Sequence, residues 1–326
     1  MNIEILGCGV AGLCTATELA KNNVKIDLVD PNGGPTEKSC SWWAGGMLAP
    51  DCEGETAPDI VVSMGKKSSK WWKNNGCNVY ENGSLVVAAD RDVSKINQFK
   101  RKTRNYIEID ASNIEKLEPE ISSNFNKGLF FEKECHITPR KALTSLMNAF
   151  DGSKISVRTK RLNKDYDFSI DCRGLVAKDT LKDLRGVKGE MLILKNDEIK
   201  IKRPIRLLHP RIPLYIVPRG KGFFMVGATM IENDERKRAT VRSVFELLSA
   251  AYTINPAFGE AEVIEIGVDA RPAFQDNIPK IRRRHKDIFI NGLYRHGFLL
   301  APSMAMMVSD FIFKGKIPEV MDENLY

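Results

Sequence analysis

Residues 7–12 read Gly-Cys-Gly-Val-Ala-Gly, and no other stretch of the chain narrows its fold as far. Alone, GxGxxG is a weak pattern; its setting gives it weight. The apolar run Ile3 to Leu6 stands directly before it as a strand, and Val10 to Asn22 follows with Leu13, Ala16, Thr17 and Ala20 at helical spacing. A second apolar strand, Val24 to Val29, ends on the acid Asp30, about 20 residues past the glycines. Strand, glycine turn, helix, strand and acid together form the unit that holds the ADP half of a dinucleotide. Gly7 permits the tight turn, Gly9 lets backbone approach a pyrophosphate, and Gly12 lets helix and strand pack closely. Val10 and Ala11 open the helix, where free N–H groups and the positive dipole end suit phosphate oxygens. Asp30 suits ribose hydroxyls and disfavours a 2′-phosphate. The fingerprint reads ADP, which FAD and NAD share.

Beyond the loop Pro31 to Pro35, a helical pattern runs from Asp59 to Lys73. Short strands with helices between them (Val93 to Arg104, Ser112 to Leu117) reach Phe131, and Pro139 to Phe150 reads as a helix. Ile155 to Arg158 and Asp167 to Cys172 read as strands, and strands dominate from Val187. A helix at Thr240 to Ala251, strands at Glu262 to Val268, Ile278 to Ile281 and Ile288 to Asn291, and a last helix from Leu300 to Phe313 complete the pattern. The two ends carry nucleotide-domain features and the middle resembles a meander. The fold expected is α/β with an α+β insert: a Rossmann-like dinucleotide domain (1–75, 136–186 and 267–326) and a discontinuous antiparallel-sheet substrate domain (76–135 and 187–266).

Composition excludes several function classes. The net charge is +7, and its densest cluster, Lys280 to Lys286, has no interleaved aromatics, so it reads as a solvated turn and not a nucleic-acid surface. Seven scattered cysteines without a CxxC pair, and no signal peptide, point to free thiols in a reducing cytoplasm. The four histidines are far apart, so no metal site is expected. No apolar run approaches the roughly 18 residues that span a bilayer, and no membrane partner is expected.

Other segments choose between the cofactors. Ser41-Trp42-Trp43-Ala44-Gly45-Gly46-Met47-Leu48-Ala49-Pro50 resembles the segment that passes the flavin in D-amino-acid-oxidase-like flavoproteins. Val187 to Met191 (VKGEM), Tyr215 to Arg219 (YIVPR), Val226 to Met230 (VGATM), Arg271-Pro272 and Gly292 to Pro302 (GLYRHGFLLAP) are similar to one branch of that family, the glycine oxidases of thiamine biosynthesis. The resemblance runs from end to end and implies FAD. The chain departs from relatives in a shorter middle, in Asp30 where glutamate is commoner, and in Trp43 and Gly45 where alanine is frequent. Trp43 either narrows the pocket or packs in the core.

Amino-acid oxidation removes a hydride from the α-carbon. The flavin supplies that chemistry, and the protein must orient the substrate and tune the ring. The resemblance implies that Arg271 grips the substrate carboxylate, for which a guanidinium's planar fork is well matched. It implies that Tyr215 adds a hydrogen bond and that Arg295 helps or lines the entrance. Read without it, Arg271 is a strand-end ion-pair residue and Tyr215 a half-buried core residue. Ser41, Ala44, Gly45, Gly46, Met47 and Leu48 would carry the flavin. Gly292, His296, Gly297, Phe298, Leu299 and Leu300 would enter the last helix beneath flavin N1 and O2, where charge builds on reduction; His296 itself reads as a solvated side chain without catalytic duty. Val157 would lie beside the adenine, and Cys172 and Gly174 belong to a second nucleotide-contacting turn whose Arg173 reads equally as solvated.

The leading reading is an FAD-dependent oxidase that takes glycine to iminoacetate, reduces O₂ to H₂O₂ and feeds thiazole synthesis. A homo-oligomer and a thiazole-synthesis partner enzyme are implied with it. Sarcosine or a small D-amino acid as substrate keeps the fold, since a missing methylene discriminates by only about 1–3 kcal/mol. A non-catalytic dinucleotide-binding protein and an NAD-linked dehydrogenase are the readings from other classes.

Overall fold

The computed structural model describes residues 1–121, 125–210 and 213–322. The first strand, Asn2–Leu6, lies inside a six-stranded sheet. It runs parallel to Lys25–Val29 on one side and to Phe168–Asp171 on the other. Ile155–Arg158 and Asp287–Asn291 extend the sheet in parallel, and Lys280–Arg284 closes one edge antiparallel. The alternation Ile3-Glu4-Ile5 gives this sheet two unlike faces. Ile3, Ile5, Ile26, Leu28 and Ile170 join Leu13, Ala16 and Leu19 of the first helix (Val10–Leu19) and Leu300, Met304 and Val308 of the last helix (Gly297–Lys314) in one apolar core.

The other face carries charge. Glu4 is fully buried and accepts two hydrogen bonds from the Arg161 guanidinium, at 2.9 and 2.6 Å, and one from the Ser169 hydroxyl at 3.0 Å. Asp27 accepts from Arg158 at 2.5 Å and from the Tyr166 hydroxyl at 3.1 Å. Arg161 and Tyr166 belong to the segment between the strands Ile155–Arg158 and Phe168–Asp171, which covers this face.

The second sheet has nine strands and is largely antiparallel. Arg185–Lys195 pairs with Phe223–Gly227 on one side and with Glu262–Ala273 on the other. The expectation of an antiparallel insert holds except where Ile205–Leu207 runs parallel to Ser84–Val87. Leu192, Leu194, Ile216, Phe224 and Val226 pack beneath Leu247, Ala251 and Ile254 of the helix Val241–Ile254. A small sheet joins Met47–Leu48, Cys135–Ile137 and Val79–Tyr80, which fixes the Ser41 to Pro50 segment between the two large sheets.

Several elements differ from the sequence reading, among them Lys280–Arg284, read as a solvated turn, which is an edge strand with Arg282 buried. The strand predicted to stop at Val268 continues to Ala273. Pro272 does not stop it, because this strand pairs with Arg185–Lys195 alone and an edge strand loses no ladder bond to a missing N–H. The helical stretch from Asp59 is two helices, Asp59–Gly65 and Ser68–Asn74, both against the last helix. That last helix starts at Gly297, not Leu300. By length and composition it is apolar enough to cross a membrane, contrary to the expectation that no run approaches that limit. Half of it is buried inside the protein, against the first helix and the two short ones.

Candidate active site

A cavity of about 1000 Å³ runs from the tip of the six-stranded sheet to the wall formed by the nine-stranded sheet. That is the upper end of the range of about 300–1,000 Å³ for small-molecule pockets. At the first end, Gly7 has φ +100°, and a Cβ there would lie 2.8 Å from the Cys172 carbonyl oxygen. A Cβ on Gly12 would lie 1.8 Å from the Gly7 carbonyl oxygen, so helix and strand close only on glycine. The first helix has no side-chain cap; the Val10 N–H donates to the Ser41 hydroxyl at 3.0 Å. Asp30 faces the cavity with its carboxylate aimed by the Cys8 and Asn32 N–H groups, each donating at 2.9 Å. The Cys8 thiol, buried behind the glycine turn, and the Cys40 thiol on the cavity wall are pushed up to about 12 by burial and stay protonated.

Farther in, Ser41, Ala44, Gly45, Gly46 and Met47 line the cavity. Arg219, behind them, donates to the carbonyls of Ala44 at 3.1 Å, Gly45 at 2.8 Å and Ile137 at 2.9 Å. Burial pulls this guanidinium down to about 10, still charged at neutral pH. Gly45 fits against Tyr215, since a Cβ would lie 2.7 Å from Cε2. Trp43 lies over Gly267, donates to the Glu37 carbonyl at 2.9 Å and takes the Arg140 guanidinium 5.0 Å above its ring. It packs and forms part of the cavity wall. The last helix meets the same cavity through Gly297, Phe298 and Leu299, again without a side-chain cap. Two helix N-termini whose own N-cap residues supply no side-chain cap therefore face one cavity from different positions.

The strand Glu262–Ala273 brings Arg271 to the opposite wall, half-buried, with Tyr215 and Arg295 around the same cavity. Arg271 lies against Gly189, where a Cβ would fall 2.2 Å from Nη2; the glycine of VKGEM makes its room. Among the described residues its one side-chain hydrogen bond is Nη1–H to the Thr229 carbonyl at 3.1 Å. Among the described residues no carboxylate pairs with it, whereas Arg206 has Glu55 at 2.8 Å and Arg236 has Asp269 at 2.5 Å. Burial lowers its pKa, which marks a cation with incomplete solvation.

Glu53 is the residue the sequence reading missed. Its Oε2 stands 3.7 Å from Arg295 Nη2 and 3.4 Å from His296 Nδ1, and its Oε1 stands 3.6 Å from Arg206. Burial alone would raise this carboxyl; the charges of Arg295, His296 and Arg206 outweigh it and hold it at about 2. His296 is 5% exposed, not solvated, and burial holds its imidazole neutral, at about 4. Nothing in the local pattern Pro50-Asp51-Cys52-Glu53 marks that acid, because its partners come from residues 206, 295 and 296.

Gly7, Gly9, Val10, Ala11, Asp30, Cys172, Gly174 and His296 line the cavity as expected, with the residues named above. Five expected residues stand back from it. Gly12 serves helix packing, Leu48 and Leu300 are core, and Gly292 lies against the Phe274 ring. Val157 is 37% exposed, and Thr159, Lys160 and Arg161 line that end instead. Arg173 is tied to Asp171 and Asp179 and lines the cavity.

The residues present fit an FAD. The glycine turn and first helix would hold its pyrophosphate, Asp30 its ribose, residues 44–47 its ring system, and the last helix's first turn the edge that becomes negative. The sequence model of the DAO family, FAD dependent oxidoreductase, matches residues 2–311. A thiamine biosynthesis oxidoreductase, ThiO, of Rhizobium etli is 43% identical over 309 residues, 94% of each chain. The glycine oxidase of Bacillus subtilis is 25% identical over 96% of this chain and 93% of its own. A crystal structure of glycine oxidase from Bacillus cereus superposes with a TM-score of 0.82 at 20% identity, covering 100% of this chain and 98% of the other, a likeness of fold. A cavity shaped for a dinucleotide, and a family match spanning nearly the whole sequence, place this protein in the FAD dependent oxidoreductase family.

Proposed function

We propose that the protein oxidises glycine to iminoacetate, passing the electrons through FAD to O₂ to give H₂O₂, for the thiazole branch of thiamine biosynthesis. One observation carries the substrate class: a guanidinium without a carboxylate partner among the described residues, on the cavity wall beside Tyr215 and Arg295. An amino-acid carboxylate supplies the missing anion, and the fork fixes its orientation. Bound FAD would accept the hydride from the α-carbon; the chain's part is to aim that carbon. Arg271 grips the carboxylate, Glu53 holds Arg295 at the rim, and neutral His296 adds no competing charge. The similarity to ThiO and to the Bacillus glycine oxidase supports the choice of glycine.

The reading extends to a two-domain organisation, with residues 1–75, 136–186 and 267–326 on the cofactor side and 76–135 and 187–266 on the substrate side. It places the enzyme in the cytoplasm, supported by seven free cysteines. It pairs the enzyme with one that consumes a short-lived imine. It also expects a homo-oligomer, supported by the exposed Val241, Phe245 and Tyr252 on one helix. Anaerobic mixing of the FAD-loaded protein with glycine, sarcosine and D-alanine in parallel tests the substrate. Glycine should reduce the flavin with the highest kcat/KM; faster reduction by sarcosine or D-alanine transfers the function to that amine, and a flavin that stays oxidised with all three removes it.

A further inference from the structure

Pro302 lies inside the last helix. Proline has no N–H, so the carbonyl four residues back, that of Phe298, loses its in-helix donor. Phe298 belongs to the turn that faces the cavity. Two side chains of the helix Ser68–Asn74 replace the lost bond. Trp72 Nε1–H donates to the Phe298 carbonyl at 2.9 Å and the Ser68 hydroxyl donates to it at 3.1 Å, and both residues are fully buried. The Trp72 ring also stacks on the Phe298 ring, with centroids 5.6 Å apart and planes 25° apart. Next to it, Trp71 donates to Glu18 of the first helix at 2.8 Å. Adjacent tryptophans thus brace the two helices whose N-termini face the cavity.

We propose that Trp72 and Ser68 are positioning residues for the flavin. By holding the Phe298 carbonyl they fix the first turn of the last helix, so that its N–H groups stay aimed where negative charge gathers as the ring is reduced. The proposal rests on the reading that the flavin lies against this turn. A purely structural role would satisfy a buried carbonyl and change stability alone. The two roles part at the electronic properties of bound flavin.

The test uses FAD-loaded wild type, Trp72→Phe, Ser68→Ala and Pro302→Ala, and the double variant Trp72→Phe/Pro302→Ala. Alanine at 302 restores an N–H that can reach the Phe298 carbonyl. The readouts are the flavin reduction potential and the Kd for sulfite, which adds to oxidised flavin and leaves negative charge on the ring. Trp72→Phe should retain FAD and bind sulfite about fivefold more weakly, the size of one lost hydrogen bond. The same factor lowers the potential by about 20 mV for a two-electron couple. Ser68→Ala should move both readouts in the same direction by less, and it serves where Trp72→Phe fails to fold. Pro302→Ala should recover most of the shift in the Trp72→Phe background. Unchanged potential and sulfite affinity in both Trp72→Phe and Ser68→Ala, or a shift that Pro302→Ala leaves in place, overturns the proposal. A wild type that forms no sulfite complex overturns the placement of the flavin and the proposal with it.

Discussion

The two walls of the cavity are built from different material. On the six-stranded side, the groups offered to the cofactor are mainly backbone: a glycine turn, the first turn of the first helix, and one carboxylate aimed by backbone donors. The glycine turn, the helix start and Asp30 all come from the first thirty residues, carried on strands in parallel register. On the opposite side, the groups are side chains from distant parts of the sequence: Tyr215 and Arg271 from the nine-stranded sheet, with Glu53 and Arg295 beside them and Arg206 behind Glu53. Backbone sites need particular conformations and tolerate few side chains. Side-chain sites need long-range register and tolerate substitution without loss of fold. The first wall should therefore fail as structure, and the second as chemistry.

The largest effect expected is at Gly12. A valine there places its Cβ 1.8 Å from the Gly7 carbonyl oxygen, so Gly12→Val should yield protein that is insoluble or carries no flavin. The absorbance ratio of flavin to protein after purification measures this, and a flavin-loaded Gly12→Val would break the contrast. Next comes Glu53→Gln on the other wall. Arg295 and Arg206 lose a buried charge partner at 3.6–3.7 Å, and kcat/KM for glycine should fall about tenfold, or about 1.4 kcal/mol. FAD affinity should not move; a parallel loss of FAD would show that this side chain serves the cofactor wall.

The smallest effect lies at the seam. Glu134 is buried with one oxygen accepting the Cys52 N–H at 2.7 Å and the other without a partner. Burial pushes its carboxyl up to about 7, against the lowering effect of that bond. Between the usual carboxylate range and pH 7 the folded state keeps a proton that the unfolded chain has lost, so stability falls as pH rises through that window. The full cost is about 3 kcal/mol, taking 1.36 kcal/mol for each unit. Glu134→Gln should flatten the fall in Tm between pH 5 and 8 by a few degrees, with activity near wild type. A steeper fall in the variant would contradict the assignment.

The same division decides what could be read from sequence. The Gly7 to Gly12 turn and Asp30 were legible because local geometry alone forces those residue types. Arg271, Tyr215 and Arg295 were legible only through similarity to known flavoproteins; residue type and spacing left each of them a plain alternative. Glu53 was invisible, since its meaning lies in a contact with Arg295, far along the chain. Gly189 was quoted as part of a motif, and its purpose emerges only from the Arg271 guanidinium lying against it. The extension of Glu262–Ala273 through Pro272 depended on that strand being an edge, which no local pattern states. Gly297 and Phe298 read as a flavin-facing loop in the sequence and are instead the first turn of the last helix, because they precede its regular apolar spacing.

The most direct measurement is made on Arg271→Ala, with FAD binding to the apoprotein and anaerobic reduction by glycine followed on one preparation. The division of labour between the walls predicts a Kd for FAD within about twofold of wild type. Half-saturation by glycine should rise about a hundredfold or more, the range for truncating one partner of a charge pair. FAD affinity lost in step with glycine affinity, or glycine reducing the variant's flavin as it does the wild type's, would contradict it.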